Sequence, residues 1–335
     1  MQELIQIAQK IADRGRGILA ADESHGTIEK RFATINVTNN EENRRAYRDM
    51  LFRTKGLGQY ICGVILFEET LTQKSHDGVL FPELLKSQKM IPGIKVDKGL
   101  IPLENSLNEK VTQGLDGLPE RLEVYKQQGA QFAKWRATFD IDDVRPSLLA
   151  IRANAENLAR YAAICQAQGI VPIVEPELLM DGSNTIERCE EATEMVLHKV
   201  FNALFKNKVC LEGMVLKPSM VISGKQCAKQ ANVEAVADAT VRILLRTVPA
   251  AVPTINFLSG GQSAEVATAH LNAMHARHPH LPWNLSFSYG RALQDPALKA
   301  WQGKAENVEA AQAQLLKRAK LNSHACMGEY NSGME

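Results

Sequence analysis

The chain has 335 residues, and 39 basic side chains balance 38 acidic ones, which leaves a formal net charge of +1. A chain of this length can bury a sizeable core, either as one large barrel or as two smaller domains. Balanced, interspersed charge gives no general attraction to nucleic acid or to acidic membranes. No apolar run approaches the ~20 residues that a membrane span needs. The six cysteines have no C-x-x-C spacing, so we interpret them as reduced thiols of a cytoplasmic protein.

The order of apolar segments predicts the fold. An amphipathic N-terminal helix is followed by eight continuous apolar runs, with helix-periodic sequence in most of the gaps. The runs span residues 17–22, 62–69, 93–97, 132–137, 171–177, 211–218, 254–260 and 284–290. Continuous runs are typical of parallel strands that helices cover, and eight of them predict an α/β fold of the (β/α)8 TIM-barrel type. A doubly wound sheet is the alternative, but no run is followed by G-x-G-x-x-G. We find no linker, and therefore expect a single domain over residues 1–335 with an N-terminal helix and a short C-terminal tail.

Polar residues concentrate at the carboxyl ends of these runs, where a barrel of this type carries its active site. The set consists of Asp22, Glu68, Glu69, Lys95, Asp97, Lys134, Arg136, Glu175, Glu177, Lys217, Ser259, Ser288 and Arg291. An ordinary solvated rim would account for two or three such ends, so we interpret the set as functional. We expect Glu68 and Glu69 to form rim ion pairs.

Lys217 is the residue around which we organise the site. It ends the apolar run 211–218 just before Pro218, which has no N–H to continue a ladder. A lysine that snorkels from a strand end is the structural alternative. We expect Lys134 to project toward the same cavity, and like charge lowers the pKa of at least one of the two amines, which creates a nucleophile. Of the neighbouring carboxylates Glu175 and Glu177, the more buried is expected to keep its proton above its usual pKa, which suits acid–base work on a carbinolamine.

Two glycine-rich turns, LSGGQS (258–263) and SYGR (288–291), end the last two runs. In phosphate-binding barrels this is the place where backbone N–H groups hold a phosphate, and Arg291 would add a bidentate charge. A second polar pocket is offered by ESHGTIEKR (23–31), with Ser24 and Thr27 as hydroxyl donors and Arg31 as a cation. A helix N-cap is an equally good interpretation of that segment.

Ten ordered segments resemble class I fructose-1,6-bisphosphate aldolases from about residue 4 to about residue 330. They are GILAADES, EENRRAYR, GVILFEETL, GIKVDKG, QGLDGL, FAKWRA, GIVPIVEPE, VLKPSM, FLSGGQS and FSYGRALQ. The resemblance implies a (β/α)8 barrel, a cytoplasmic homotetramer, and reversible cleavage of fructose 1,6-bisphosphate through a lysine Schiff base. It implies no cofactor, no metal, phosphorylated ketose and triose substrates, and no nucleic-acid or membrane partner.

The resemblance also implies residue roles. Lys217 is the Schiff-base lysine, Glu175 the acid–base residue assisted by Glu177 and Lys134, and Asp22 the base for the C4 hydroxyl. The C1 phosphate contacts are Ser259, Gly260, Gly290 and Arg291, with Ser288 beside them. The C6 phosphate contacts are Ser24, Thr27 and Lys95, where Thr27 replaces the serine common in the family. Arg31 and Arg136 line the cleft.

Three expectations remain open at the level of sequence. Animal members of the family continue into a tail whose terminal tyrosine assists enamine protonation, whereas Tyr330 matches a residue before that tail, so we expect another group or water to assist here. The histidines of HLNAMHARHPH (270–280) fit no metal motif, and we expect no metal there. A non-catalytic phosphosugar-binding or scaffolding protein on the same fold is the alternative function, since fold does not fix function.

Overall fold

The computed structural model describes residues 1–335. The strands are β1 (Gly17–Ala21), β2 (Ile61–Leu66), β3 (Ile91–Lys95), β4 (Leu100–Pro102), β5 (Lys110–Thr112), β6 (Phe132–Phe139), β7 (Val171–Leu178), β8 (Val215–Leu216), β9 (Thr254–Phe257) and β10 (Asn284–Tyr289). The helices are α1 (Gln2–Ile11), α2 (His25–Ala33), α3 (Glu41–Phe52), α4 (Phe81–Ser87), α5 (Leu118–Gln127), α6 (Leu148–Ala167), α7 (Ile186–Lys206), α8 (Val233–Thr247), α9 (Ala264–Arg277), α10 (Arg291–Trp301) and α11 (Val308–Ala325). None of these helices combines the length and the apolar character needed to cross a membrane.

Eight strands form one closed parallel barrel in the order β1-β10-β9-β8-β7-β6-β3-β2, and β2 pairs with β1 to close it. The strands are buried along almost their whole length, which explains why the sequence shows continuous apolar runs. The predicted (β/α)8 barrel is therefore confirmed. Parallel strands all point their carboxyl ends to the same rim, so the polar residues that follow the runs meet there.

The amino-terminal half of the barrel is filled and closed by apolar groups. Leu4, Ile7, Ala8 and Ile11 form the buried face of α1, which packs with inward residues of the strands in a cluster of 12 buried side chains. The Cys62 thiol at the start of β2 lies 3.5 Å from the Ile11 carbonyl, which places α1 under this end. The amino-terminal end of the barrel is therefore apolar and covered, in contrast to the polar carboxyl rim.

Two phenylalanine rings pack where glycines make room for them, Phe132 in the barrel interior and Phe287 between the strands and the outer helices. A β-carbon on Gly93 would lie 2.2 Å from the Phe132 ring, and one on Gly17 would lie 2.5 Å from the Phe287 ring. Real carbon atoms never approach so closely, so glycine is required at both positions by packing rather than by backbone conformation. The interior is thus a packed core and not a channel.

The structure corrects the prediction around Lys217. The predicted strand 211–218 contains only the two residues of β8, because Leu211–Gly213 forms a 3₁₀ turn before it. The Lys217 N–H still donates to the Val174 carbonyl at 2.8 Å. Pro218 has no N–H, so the ladder of backbone hydrogen bonds ends there. The strand was overestimated because an apolar run records burial, and a buried turn is as apolar as a buried strand.

Two further differences lie beyond β2 and β3. The run 62–69 ends as a strand at Leu66, and Glu68 and Glu69 belong to a 3₁₀ turn, where they form the predicted rim ion pairs with Lys98 and Arg44. The antiparallel hairpin β4–β5 was not predicted. Its strands have three residues each, which is too short for an alternating pattern to emerge from sequence.

We propose that residues 1–335 unfold as one domain, because an 80-residue buried cluster runs continuously through strands and outer helices. Urea unfolding followed by far-UV circular dichroism and by fluorescence of Trp135 and Trp301 is expected to give coincident transitions. Trp135 lies in the barrel wall on β6, whereas Trp301 lies on α10. Separate midpoints for variants that keep only one of these two tryptophans would divide the chain into two domains.

Candidate active site

A polar cavity of about 400 Å³ opens at the carboxyl rim of the barrel. Every catalytic and substrate-binding residue that the resemblance implies lines it: Asp22, Ser24, Thr27, Arg31, Lys95, Lys134, Arg136, Glu175, Glu177, Lys217, Ser259, Gly260, Ser288, Gly290 and Arg291. Asp97, which also ends a predicted run, does not line the cavity and pairs with Lys95 instead. Other cavities are as large or larger; one of about 750 Å³ lies between outer helices around Arg45 and Trp301 and contains none of these residues. The chemistry of the polar cavity, and not its size, makes it the candidate active site.

Four buried charged groups alternate in sign across the floor of the cavity. The Lys134 ammonium lies 2.7 Å from an Asp22 carboxylate oxygen and 3.5 Å from one oxygen of Glu175. The other oxygen of Glu175 lies 3.3 Å from the Lys217 ammonium. The side chains of Lys134, Glu175 and Lys217 are each only 5% exposed. Such charges are tolerated out of water only because each has an opposite charge beside it.

The ammonium groups keep the Asp22 carboxyl ionised. Burial alone would raise its pKa, but the charges of Lys134 and Lys217 outweigh burial and lower the pKa of Asp22 to about 2. At neutral pH the group is therefore a carboxylate, which is the form that can accept a proton. Hydrogen bonding to Lys134 holds it in place at the end of β1.

Lys134 is not an amine whose pKa is lowered by like charge. Burial alone would lower the pKa of its amine, yet the carboxylates of Asp22 and Glu175 outweigh burial and raise that pKa above the ordinary value. The sequence shows two lysines on neighbouring strands but does not show that carboxylates separate them. Lys134 is thus a permanent cation of the site, and it cannot be the free-amine nucleophile.

Glu175 and Glu177 face different charged partners. Glu177 accepts a hydrogen bond from the Arg136 Nε, and the desolvated guanidinium has a raised pKa beside that carboxylate. Glu175 faces the two lysines instead, and its Oε2 is buried without a hydrogen-bond partner. A buried carboxylate oxygen with an unused acceptor, next to an amine, can take up and return a proton.

The glycine-rich turn after β9 lies beside the start of α10. Gly260 and Gly261 have φ angles of 58° and 88°, in the left-handed region that favours glycine. A β-carbon on Gly261 would lie 2.9 Å from an Arg291 nitrogen, so the turn and the guanidinium are adjacent. Arg291 makes no ion pair, and the Ser288 hydroxyl is buried without a partner. An uncompensated cation, a free hydroxyl and a helix N-terminus together form an anion site.

A second set of donors lies at the N-terminus of α2. Ser24 is the N-cap residue, as the alternative interpretation held, but its side chain makes no capping hydrogen bond. Its hydroxyl lies 3.1 Å from the Thr27 hydroxyl, and both face the cavity. Arg31 is fixed by Glu23 at 2.5 Å, and Lys95 is fixed by Asp97 at 2.8 Å. These cations and hydroxyls can hold a second anion, and Arg31 lies beside Gly290, where a β-carbon would be 3.4 Å from its Nη2.

Two charged residues of the cavity were missed by the sequence reasoning. Lys30 lies three positions after Thr27 on α2, so helical periodicity would have placed it on the same face. Glu23 is held by buried Arg48 at 3.2 Å and by Gln294 at 2.9 Å. Gln294 is 271 residues away in sequence, and no local pattern could have revealed that contact.

The histidines of segment 270–280 take different protein partners. His270 bonds to Gln262 at 2.7 Å, His275 to the Leu285 carbonyl at 2.9 Å, and His278 to Asp238 at 2.8 Å. Burial lowers the pKa of His270 to about 4. No group of three or more His, Cys, Asp or Glu side chains is arranged to hold a metal ion.

Comparison with known proteins agrees with this geometry. The family model "Fructose-bisphosphate aldolase class-I", described as glycolytic, matches residues 3–335. Fructose-bisphosphate aldolase 1 of Toxoplasma gondii is 57% identical over 334 residues, which cover 99% of this chain and 92% of that protein. A probable class 1 fructose-bisphosphate aldolase of Xanthomonas axonopodis pv. citri is 54% identical, with 98% of this chain and 99% of that protein covered.

A solved structure extends the comparison from sequence to three dimensions. Fructose-bisphosphate aldolase of Plasmodium falciparum, crystallised in complex with TRAP and a small-molecule inhibitor, superposes with a TM-score of 0.98 at 54% identity. The match covers 99% of this chain and 96% of that chain. The likeness therefore includes the whole barrel and the rim that carries the cavity. This chain belongs to the class I fructose-bisphosphate aldolase family, whose glycolytic enzymes cleave fructose 1,6-bisphosphate.

Proposed function

We propose that the enzyme cleaves its substrate through an imine on Lys217, with Glu175 and Asp22 moving the protons. The observation that supports this assignment is the alternating row Asp22, Lys134, Glu175 and Lys217, whose neighbouring charges lie 2.7 to 3.5 Å apart. A module that only binds phosphosugars would need the two anion sites and not this row. The row therefore favours catalysis over the binding alternative.

Imine formation needs the Lys217 nitrogen without its extra proton. Glu175 is the nearest carboxylate, at 3.3 Å, and accepts that proton. The amine then attacks C2 of the ketose, and one of its two protons passes to the former carbonyl oxygen. Glu175 returns the proton that it took from the ammonium to the same oxygen, which leaves as water. The Oε2 of Glu175 accepts no hydrogen bond and lies on the side of Lys134, so it is a second acceptor for the exchange. Lys134 stays positively charged beside it and stabilises each ionised state.

Cleavage follows once the protonated imine is in place. The bond between C3 and C4 breaks, its electron pair moves to the imine nitrogen, and Asp22 takes the proton of the C4 hydroxyl. A carboxylate with a pKa of about 2 is a weak base, so the proton moves only as the bond breaks. Glyceraldehyde 3-phosphate leaves, the enamine gains a proton at C3, and water releases dihydroxyacetone phosphate from Lys217.

The two anion sites at the rim fit a substrate with a phosphate at each end. Arg291, Ser259, Ser288 and the glycine turn hold the C1 phosphate in this proposal, whereas Ser24, Thr27 and Lys95 hold the C6 phosphate, with Arg31 and Arg136 lining the cleft. Cations outnumber carboxylates in the lining, which compensates the negative charge of a bisphosphate. Binding at both ends fixes C2 beside Lys217 and C4 beside Asp22.

We also propose a cytoplasmic homotetramer, on the basis of family resemblance. Three relatives at 55–57% identity have names that describe them as cytosolic or cytoplasmic proteins of Arabidopsis thaliana and Spinacia oleracea. Size-exclusion chromatography with light scattering is expected to give four times the 37.0 kDa mass of one chain. A stable monomer or dimer that retains full activity would overturn the tetramer.

The division of labour between Lys217 and Asp22 is tested by trapping. Asn at position 22 keeps the shape but cannot act as a base, so Asp22→Asn is expected to form a borohydride-trapped adduct with dihydroxyacetone phosphate. Its kcat for cleavage is expected to fall by about 10²–10⁴, the usual size of a general-base contribution. Lys217→Ala should lose both adduct and turnover, and peptide mass spectrometry should find the wild-type adduct on Lys217.

The same experiment distinguishes the alternatives. Near-normal cleavage by Asp22→Asn would assign the base to another group, with Glu175 the first to examine. Absence of an adduct in Asp22→Asn would mean that this residue helps to form the imine. An adduct that persists in Lys217→Ala would exclude the imine assignment itself.

The C6 phosphate site is tested by comparing two substrates. Thr27→Val keeps the size of the side chain but removes its hydroxyl, and kcat/KM for fructose 1,6-bisphosphate is expected to fall about tenfold, because a hydrogen bond to a charged group contributes roughly 1.5 kcal/mol. For fructose 1-phosphate, which has no second phosphate, kcat/KM should stay within about twofold. Thr27→Ser is the matched control and should behave as wild type. Equal losses with both substrates would place Thr27 outside the C6 site.

A further inference from the structure

Three loops meet beside the glycine turn, and their backbones are fastened to one another. Residues 179–185 follow β7, residues 217–232 follow β8, and residues 258–263 follow β9. Three backbone hydrogen bonds of 2.8 Å join the first two loops: Gly224 N–H to Asn184 O, Lys225 N–H to Met180 O, and Gln226 N–H to Gly182 O. A β-carbon on Gly224 would lie 2.3 Å from the Gly182 oxygen, so the contact requires glycine. The backbone of Lys225 is therefore fixed independently of its side chain.

The Lys225 side chain reaches from this fixed backbone to the glycine turn. Its ammonium lies 3.3 Å from the position that a β-carbon on Gly261 would take, and Arg291 Nη2 lies 2.9 Å from the same position. Two cations thus flank one turn, although Lys225 belongs to the loop after β8 and Arg291 to the first turn of α10. No local pattern could have revealed this approach, because 36 and 66 positions separate Lys225 from Gly261 and Arg291.

The present partner of Lys225 is a weak one. Its ammonium lies 2.9 Å from an Asp181 carboxylate oxygen, and the two side chains are 43% and 69% exposed. An exposed ion pair of this kind contributes about 0–1 kcal/mol and is screened by salt. Since backbone hydrogen bonds already join the loops, the ion pair is not needed to hold them together. Lys225 can therefore exchange Asp181 for another anion at a small cost in free energy.

We propose that Lys225 is a second cation for the phosphate at the glycine turn, exchanging Asp181 for the phosphate when substrate binds. This inference rests on the assignment of the C1 phosphate to that turn. A phosphate dianion between Lys225 and Arg291 compensates both cations, whereas Asp181 carries one charge and reaches only Lys225. Asp181 then competes with the phosphate, and it keeps the Lys225 ammonium near the glycine turn while no phosphate is bound.

The proposal predicts opposite effects for the two members of the ion pair. Lys225→Gln is expected to weaken dihydroxyacetone phosphate about 3–10-fold in a borohydride-trapping titration, because an exposed cation contributes roughly 1 kcal/mol toward a dianion. Asp181→Asn is expected to strengthen it about 2–3-fold, since the competing carboxylate is gone. Dihydroxyacetone, which has no phosphate, should be trapped equally by all variants. Both effects should shrink as ionic strength rises.

Two further variants make the result decisive. Lys229→Gln removes a lysine of the same loop that lines a different cavity, and it should match wild type. Equal behaviour of Lys225→Gln and Lys229→Gln, or weakening by both Lys225→Gln and Asp181→Asn, would overturn the proposal and leave a structural ion pair. If Arg291→Gln weakens dihydroxyacetone phosphate and Lys225→Gln does not, only the role of Lys225 fails. If neither weakens it, the C1 phosphate does not bind at this turn and both assignments fail.

Discussion

The site depends on one constraint, the need to compensate buried charge. Lys134 is buried with a carboxylate on each side, and its charge is the largest of those that hold the pKa of Asp22 low against the effect of burial. Removing Lys134 leaves Asp22 without an ion-pair partner, and removing Glu175 leaves Lys217 without one; an unpaired charge in such a desolvated place costs far more than the net worth of the pair. The strands β1, β6, β7 and β8, which position these residues, must therefore keep fixed positions relative to one another. The closed barrel provides this rigidity because none of its strands has a free edge.

The same barrel separates an apolar half from a charged half. Side chains of β6 that face inward begin with Phe132, whose ring fills the space above Gly63 and Gly93, and continue with Lys134. Below them, α1 covers the amino-terminal opening with its buried face. Water is thus kept from the lower side of the lysines, and their electrostatic effects are stronger than they would be in an open cleft.

Most of the fold and the membership of the site could be predicted from sequence, because both follow from local order along the chain. Buried parallel strands give continuous apolar runs, and a polar residue at the end of such a run has only one rim to occupy. What could not be predicted depends on contacts between distant segments. The raised pKa of Lys134 needs Asp22 and Glu175 beside it, and β8 could not be told from the turn that precedes it. Glu23 and Lys225 likewise acquire their roles only through partners on other loops.

The contact of Glu23 with Arg31 links two parts of the cavity that have different tasks. Asp22 and Glu23 are consecutive, and a single rigid peptide unit joins them. Asp22 bonds to Lys134 at the reaction centre, whereas Glu23 holds Arg31 at the cleft lining and is itself anchored by Arg48. A ligand phosphate that pulls on Arg31 therefore pulls on the neighbour of Asp22. Energy from binding the far end of the substrate can therefore help to align Asp22, the proposed base. A truncated substrate would then lose turnover as well as affinity.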